Sequence, residues 1–208
     1  MENSGVPARR GRPREFDVDG ALDAAMRLFW TRGYEATTMS DLVEALDLNR
    51  ASLYAAFGGK EALFIKVLDR YARQFSSRPL AALTEFEDAR EAIRQFLERT
   101  AEHLTDPHLP RGCLFTNTIL EAPGGPEPIC RMMTDGLGRL EGRIYDVLRR
   151  AQVERAIPAE TDARALARFF VGTSQGMAAL ARLSGDPSTV RDMARVAMTA
   201  WPTPAAAA

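Results

Sequence analysis

The run Asn49-Arg50-Ala51-Ser52-Leu53-Tyr54-Ala55-Ala56-Phe57 sets a guanidinium, a hydroxyl and a phenol among small side chains. Leu53 and Phe57 are four apart, so on a helix they share one inward face. Arg50, Ala51, Ser52 and Tyr54 are then left toward the outside. A surface that is small at its centre and edged with hydrogen-bond donors fits the major groove of duplex DNA. There Arg50 reaches guanine O6 and N7 or a phosphate, and Ser52 and Tyr54 donate to phosphates or bases. Thr38 and Lys60 begin the flanking helices, where backbone N–H groups and a cation suit phosphate oxygens.

Upstream, Arg9, Arg10, Arg12 and Arg14 stand within a Gly/Pro-containing stretch that lacks periodicity. Such a flexible cationic arm (1–14) suits the narrow minor groove, where negative potential is greatest. Cys113 is predicted to begin a helix with Arg111 close by, a setting that lowers a thiol pKa. It is therefore a candidate sensor of electrophiles or oxidants, alone or with Cys130. His103, His108 and Cys113 recur every five residues, but Pro107 and Pro110 interrupt them and no fourth ligand is evident. No metal site and no cofactor are expected. With two histidines and no phosphate loop, a cysteine-dependent enzyme is the weaker reading, and a non-enzyme is expected.

These groups need a scaffold, and nearly all of it reads helical. Leu22, Ala25, Met26 and Phe29 recur at i, i+3, i+4, i+7, and Gly33 follows as an αL end cap. Thr38-Met39-Ser40-Asp41 opens a second helix in the manner of a capping box, and Asn49 caps a third that runs to Phe57. Three short helices with a tight turn at Asp47-Leu48-Asn49 make a helix-turn-helix, over about 38–57. A fourth helix is predicted from about Lys60 to Phe75. Ser76-Ser77-Arg78-Pro79 then loosens the chain, which puts a domain boundary near 75. Further helices are predicted over about 88–104, 112–121, 129–154, 161–183 and 188–200. A tail, 202–208, follows, and no segment alternates as a strand does. The fold class is all-α: a DNA-binding unit over 15–75 and a larger helical effector-binding and dimerisation unit over 76–201.

Composition agrees. The chain has 208 residues, 46% hydrophobic, with a formal net charge of −1, so a core is affordable and any DNA footprint must be local. Two cysteines are too few for a disulfide framework. No apolar run reaches the roughly 20 residues of a membrane helix, and no leader-like segment is seen, so a cytoplasmic protein is expected.

The ordered set Ala24-Ala25, Leu28-Phe29, Gly33-Tyr34, Thr37-Thr38, Leu46-Asp47-Leu48, Ser52-Leu53-Tyr54 and Phe57-Gly58-Gly59-Lys60-Glu61-Ala62-Leu63 resembles the TetR/AcrR family of regulators. The likeness covers about residues 15–75. Beyond it, only the layout and Arg111-Gly112-Cys113-Leu114-Phe115 are similar. The resemblance implies a two-fold dimer, a helical ligand domain and repression relieved by a small molecule. Family DNA contacts carry over to Thr38, Arg50, Ala51, Ser52, Tyr54 and Lys60. Asn49 stands where members often carry Ser, and both types cap helices.

Two apolar stripes are suited to pairing two copies of the chain. One is Ala163, Leu166, Ala167, Phe170, Ser174, Met177, Ala178 and Ala181; the other is Val190, Met193, Ala194, Ala197 and Trp201. The predicted effector pocket is lined by Phe96, Cys113, Phe115, Thr116, Asn117, Met132, Met133, Leu137, Phe169 and Met177. The fourth helix is the expected lever between pocket and DNA.

Overall fold

The first three helices of the N-terminal unit are each started by a capping side chain. The computed structural model describes residues 17–184 and 186–203. Asp17 Oδ1 accepts the Gly20 amide at 3.0 Å and opens α1, Val18–Arg32. Thr38 and Asp41 form a reciprocal capping box at the head of α2, Met39–Ala45. Asn49 Oδ1 accepts the Ser52 amide at 2.8 Å and opens α3, Arg50–Phe57. Gly58 closes α3 in the αL conformation, and α4, Lys60–Tyr71, starts directly behind Gly59. Gly33 also has positive φ (90°), but its ψ of 168° makes it an extended turn residue and not the αL cap expected.

The chain does not loosen after Phe75. A π-helical turn, Ala72–Ser76, carries α4 into α5, Ser77–Glu85. The reason lies at Pro79. A proline inside an α-helix lacks an N–H and its ring meets the carbonyl four residues back, here that of Phe75. A widened turn at that point accommodates the ring and keeps the chain helical.

The remaining helices are α6 (Ala89–Leu104), α7 (Leu114–Glu121), α8 (Glu127–Val153), α9 (Ala163–Ser184) and α10 (Pro187–Ala197), with a 3₁₀ turn over Met198–Ala200. The fold is all-α, and no strand occurs among the described residues.

Two apolar cores result. The first joins Phe29, Trp30, Leu42, Leu53, Phe64 and Leu68 of α1–α4, and takes in Leu114 from α7 and Ile129 and Met133 from α8. The second packs α5, α6, α8, α9 and α10 around Ile93, Phe96, Leu97, Leu148, Phe170 and Met177. α1 is also fastened to α4 by Arg70. Its Nε and Nη2 grip both oxygens of Asp23 at 2.7 and 2.9 Å, and its Nη1 meets Asp19 at 2.5 Å. Such a two-pronged guanidinium–carboxylate pair fixes orientation as well as distance.

Candidate nucleic-acid interface and effector cavity

The recognition surface is held from beneath. Leu53 and Phe57 are buried, and α3 therefore turns Arg50, Ala51 and Tyr54 outward, with Ser52 half-buried beside them. Tyr54 is 47% exposed, a large value for an aromatic ring. Ala55 also lies exposed on α3, a position the sequence reading passed over.

The two flanking helix starts are built differently. At α2, the Thr38 hydroxyl and amide bond Asp41 Oδ2 at 2.7 and 2.8 Å, and Arg32 meets the other oxygen at 2.6 Å. The Thr38 bonds, then Arg32, hold the Asp41 carboxyl at about 2 against an ordinary 3.8. This fixes α2 before any DNA arrives. At α4, Lys60 Nζ sits 4.2 Å above the centre of the Tyr34 ring, which places the ammonium without neutralising it. Arg50, Tyr54, Thr38 and Lys60 thus come from three helices that share one core. Arg9, Arg10, Arg12 and Arg14 lie outside the described residues.

A cavity of about 360 Å³ opens between α4–α5 and α6–α9. Phe96, Cys113, Phe115, Thr116, Met132, Met133 and Leu137 of the predicted set line it. Three others do not. Asn117 turns the opposite way and donates to the Trp30 carbonyl at 3.4 Å. Met177 is wholly buried in the second core. Phe169 is 45% exposed on the outer side of α9. The cause is shared: α7 and α9 are apolar on more than one face, so type alone does not say which neighbour a residue meets.

Sequence reasoning missed Tyr71, Phe75, His103, Ile119 and Gln175 on the same wall. Tyr71 and Phe75 are four apart, a helical spacing that places them on one face of the chain. Inside the cavity the polar groups mostly satisfy one another. The Tyr71 hydroxyl donates to Cys113 Sγ at 3.3 Å, and His103 Nε2 lies 2.9 Å from the same oxygen. One hydroxyl proton cannot serve both, so when Tyr71 donates to Cys113 its bond to His103 requires the Nε2–H tautomer. Burial pushes the His103 imidazole below its ordinary 6.5, against a weaker opposite pull from Asp106. Burial, and then Cys113, push the Tyr71 phenol well above its usual range. Thr116 donates to Gln175 Oε1 at 2.8 Å. Cys113 and Cys130 are both free thiols, and Cys130 Sγ donates to the Ala122 carbonyl at 2.8 Å. No group of three or more metal-ligating side chains occurs among the described residues.

The stripes assigned to dimer formation pack instead within the chain. Ala163, Ala167, Phe170, Ser174, Met177, Ala178 and Ala181 are buried, as are Val190, Ala194, Ala197 and Trp201. They join α9 and α10 to α6 and α8, because that face is needed to close the second core. The outer faces of α9 and α10 carry Phe169, Leu180, Leu183 and Val196 in the open. No helix of the described residues is long and apolar enough to cross a membrane.

An exposed third helix in a capped three-helix unit, fused to a helical bundle with a cavity, defines a helix-turn-helix DNA-binding regulator. Comparison with known proteins gives its kind. A family model described as bacterial regulatory proteins, tetR family, matches residues 21–67, and one described as tetracyclin repressor-like, C-terminal domain, matches 89–198. The chain is 34% identical over 198 residues to the HTH-type transcriptional repressor ComR of Escherichia coli K12, covering 95% of this chain and 94% of the relative. It is 29% identical to the uncharacterized HTH-type transcriptional regulator YezE of Bacillus subtilis 168, covering 91% and 98%. Among solved structures, a CifR cysteine mutant in complex with a 26-base-pair double-strand operator superposes with a TM-score of 0.83 at 33% identity, over 92% of this chain and 100% of that one. The chain belongs to the TetR family of transcriptional regulators.

Proposed function

We propose that this protein is a repressor that binds a palindromic operator as a homodimer, in the cytoplasm, and lets go when a small effector enters the cavity. It does not act as an enzyme. The observation that carries this reading is the outward row Arg50, Ala51 and Tyr54, flanked by Thr38 and Lys60 at the heads of α2 and α4. ComR is named a repressor, and the CifR structure holds operator DNA. Two copies related by a two-fold axis would read half-sites about 34 to 36 Å apart. Phe169, Leu180 and Val196 support pairing through the outer faces of α9 and α10, since apolar side chains grouped in the open mark contact surfaces.

The effector is small, and apolar or flat, to match walls of Phe75, Phe96, Phe115, Met132 and Leu137. Cys113 favours a chemical form of the same signal. Its sulfur faces the cavity and accepts a hydrogen bond from Tyr71, so a reagent that enters the cavity meets it directly.

The test is selection of duplexes from a random library by the purified protein. Expected is an inverted repeat bound with two chains per site and an affinity that falls steeply with salt. Protein that ignores every duplex at low ionic strength would overturn the reading. For the signal, small aromatics and thiol-alkylating agents are added to the complex, with C113S as the control.

A further inference from the structure

We infer that Glu121 is a positioning residue for DNA binding: its carboxylate, on a helix that walls the cavity, fixes the turn that aims the helix-turn-helix. The inference rests on the proposed effector-released DNA binding.

Glu121 ends α7 and reaches the turn between α1 and α2. Its Oε2 accepts the backbone amides of Tyr34 at 2.8 Å and Glu35 at 3.1 Å. Neither amide donates to a backbone carbonyl among the described residues, so this one oxygen satisfies both. The fit is close enough to dictate a neighbour. A Cβ at Gly33 would run into Glu121 Oε1, and φ there is +90°. The positive φ requires glycine, and a side chain there would also push the Glu121 carboxylate aside.

The same end of α1 is held by other side chains of the C-terminal unit. Arg182 of α9 donates to the carbonyls of Trp30 and Thr31 at 3.1 and 3.4 Å, and Asn117 of α7 donates to Trp30. The exposed carbonyl end of α1 and the amides that follow it are thus satisfied from across the molecule. A helix end finds such partners in caps, in water or in its neighbours; here the partners belong to the unit that holds the cavity.

α7 is only eight residues long, about 12 Å at 1.5 Å per residue. Phe115, Thr116 and Ile119 on its other side wall the cavity. A helix this short moves as one piece, so an occupant that presses on Ile119 displaces Glu121 too. From Glu121 the chain of contact continues through Tyr34. Its ring lies 4.7 Å from that of Phe64 and carries Lys60 Nζ above it. Placement of the turn therefore reaches the first residue of α4. This path is separate from α4 itself, the lever expected from sequence.

The test compares E121A with E121Q. Glutamine keeps one carbonyl oxygen for both amides; alanine keeps none. In E121A, hydrogen exchange at the Tyr34 and Glu35 amides is expected to rise about tenfold, and affinity for the library-selected operator to fall about tenfold. E121Q should stay near the wild type in both. Ile119→Trp, which fills the cavity, should weaken operator binding in the wild-type background and add little in E121A. If E121A does not fold, E121D, which draws the carboxylate back by one methylene, supplies the displacement and should show the same two losses. Unchanged amide exchange in E121A, E121Q no better than E121A, or fully additive effects of I119W and E121A would overturn the assignment. Should the wild type bind no duplex, the DNA-binding reading fails, while amide exchange still decides whether Glu121 holds the turn.

Discussion

Lys60 Nζ stands 4.2 Å above the centre of the Tyr34 ring, so a cation at the head of α4 is held by an aromatic from the turn before α2. The ring itself is packed against Phe29 and Phe64. A cation over a ring at such a partly exposed site contributes about 0.5–1 kcal/mol. Tyr34→Leu keeps most of the packing but removes the quadrupole. It should weaken operator binding by about two- to fivefold, read by fluorescence anisotropy. Lys60→Ala should also lower the slope of log affinity against log salt by about one. An unaltered slope would mean that Lys60 meets no phosphate.

Tyr54 and Gly59 form a second such pair. A Cβ on Gly59 would sit 3.2 Å from Tyr54 Cε1, and Gly59 has φ +119°. The absence of a side chain there lets the Tyr54 ring lie back along the start of α4. Tyr54→Ala removes an exposed ring, so folding stability should change by no more than about 0.5 kcal/mol. Operator affinity should fall by about 1–3 kcal/mol. Gly59→Ala should do the reverse in kind, since strain at positive φ costs more than about 1 kcal/mol of stability. Urea unfolding and operator titration of both variants separate the two effects.

Much of this was legible because it is local. Thr38, Asn49 and Gly58 act on amides or carbonyls within four residues, and their types alone announce the ends of α2 and α3. What was not legible depends on partners far along the chain. Ser76 to Pro79 reads as a break, yet the π turn before it absorbs the proline ring and α5 continues. Asn117 reads as a pocket residue until Trp30, 87 residues away, supplies its acceptor. The stripes on α9 and α10 were correctly apolar, but apolarity is the same whether a helix meets its own bundle or a second copy. Glu121 carries no signal at all in sequence, since its two amide donors lie 86 and 87 residues earlier.

The buried imidazole makes stability depend on acid. Burial holds the folded pKa of His103 below the ordinary 6.5, which is also the value for the unfolded chain. Between those two values the unfolded state binds more protons, so stability rises with pH across the window and is lost as pH falls through it. Above 6.5 neither state is protonated and the contribution levels off. His103→Gln keeps an N–H for the Tyr71 oxygen without a proton to take up. It should therefore flatten the fall in urea midpoint between pH 7.5 and 5.5. A variant with the wild-type slope would assign the acid sensitivity to other groups.

Phe169 and Phe170 are adjacent, with ring centres 5.4 Å apart, yet one is 45% exposed and the other fully buried. That contrast separates folding from pairing. Phe170→Ala empties a site in the second core and should cost about 3–5 kcal/mol of stability. Phe169→Ala removes no core contact of that kind, so unfolding at low protein concentration should shift by no more than about 0.5 kcal/mol. If α9 pairs through its outer face, the loss appears in self-association, read by sedimentation equilibrium. It appears again as a weaker dependence of the unfolding midpoint on protein concentration, because a partner that binds only the folded chain stabilises it by mass action. Val196→Glu, on the neighbouring face of α10, should shift the same equilibrium further, since a carboxylate buried without a partner is costly. Dimers that survive both substitutions unchanged would move the contact to another surface, and Phe169 would then be an exposed ring without a role.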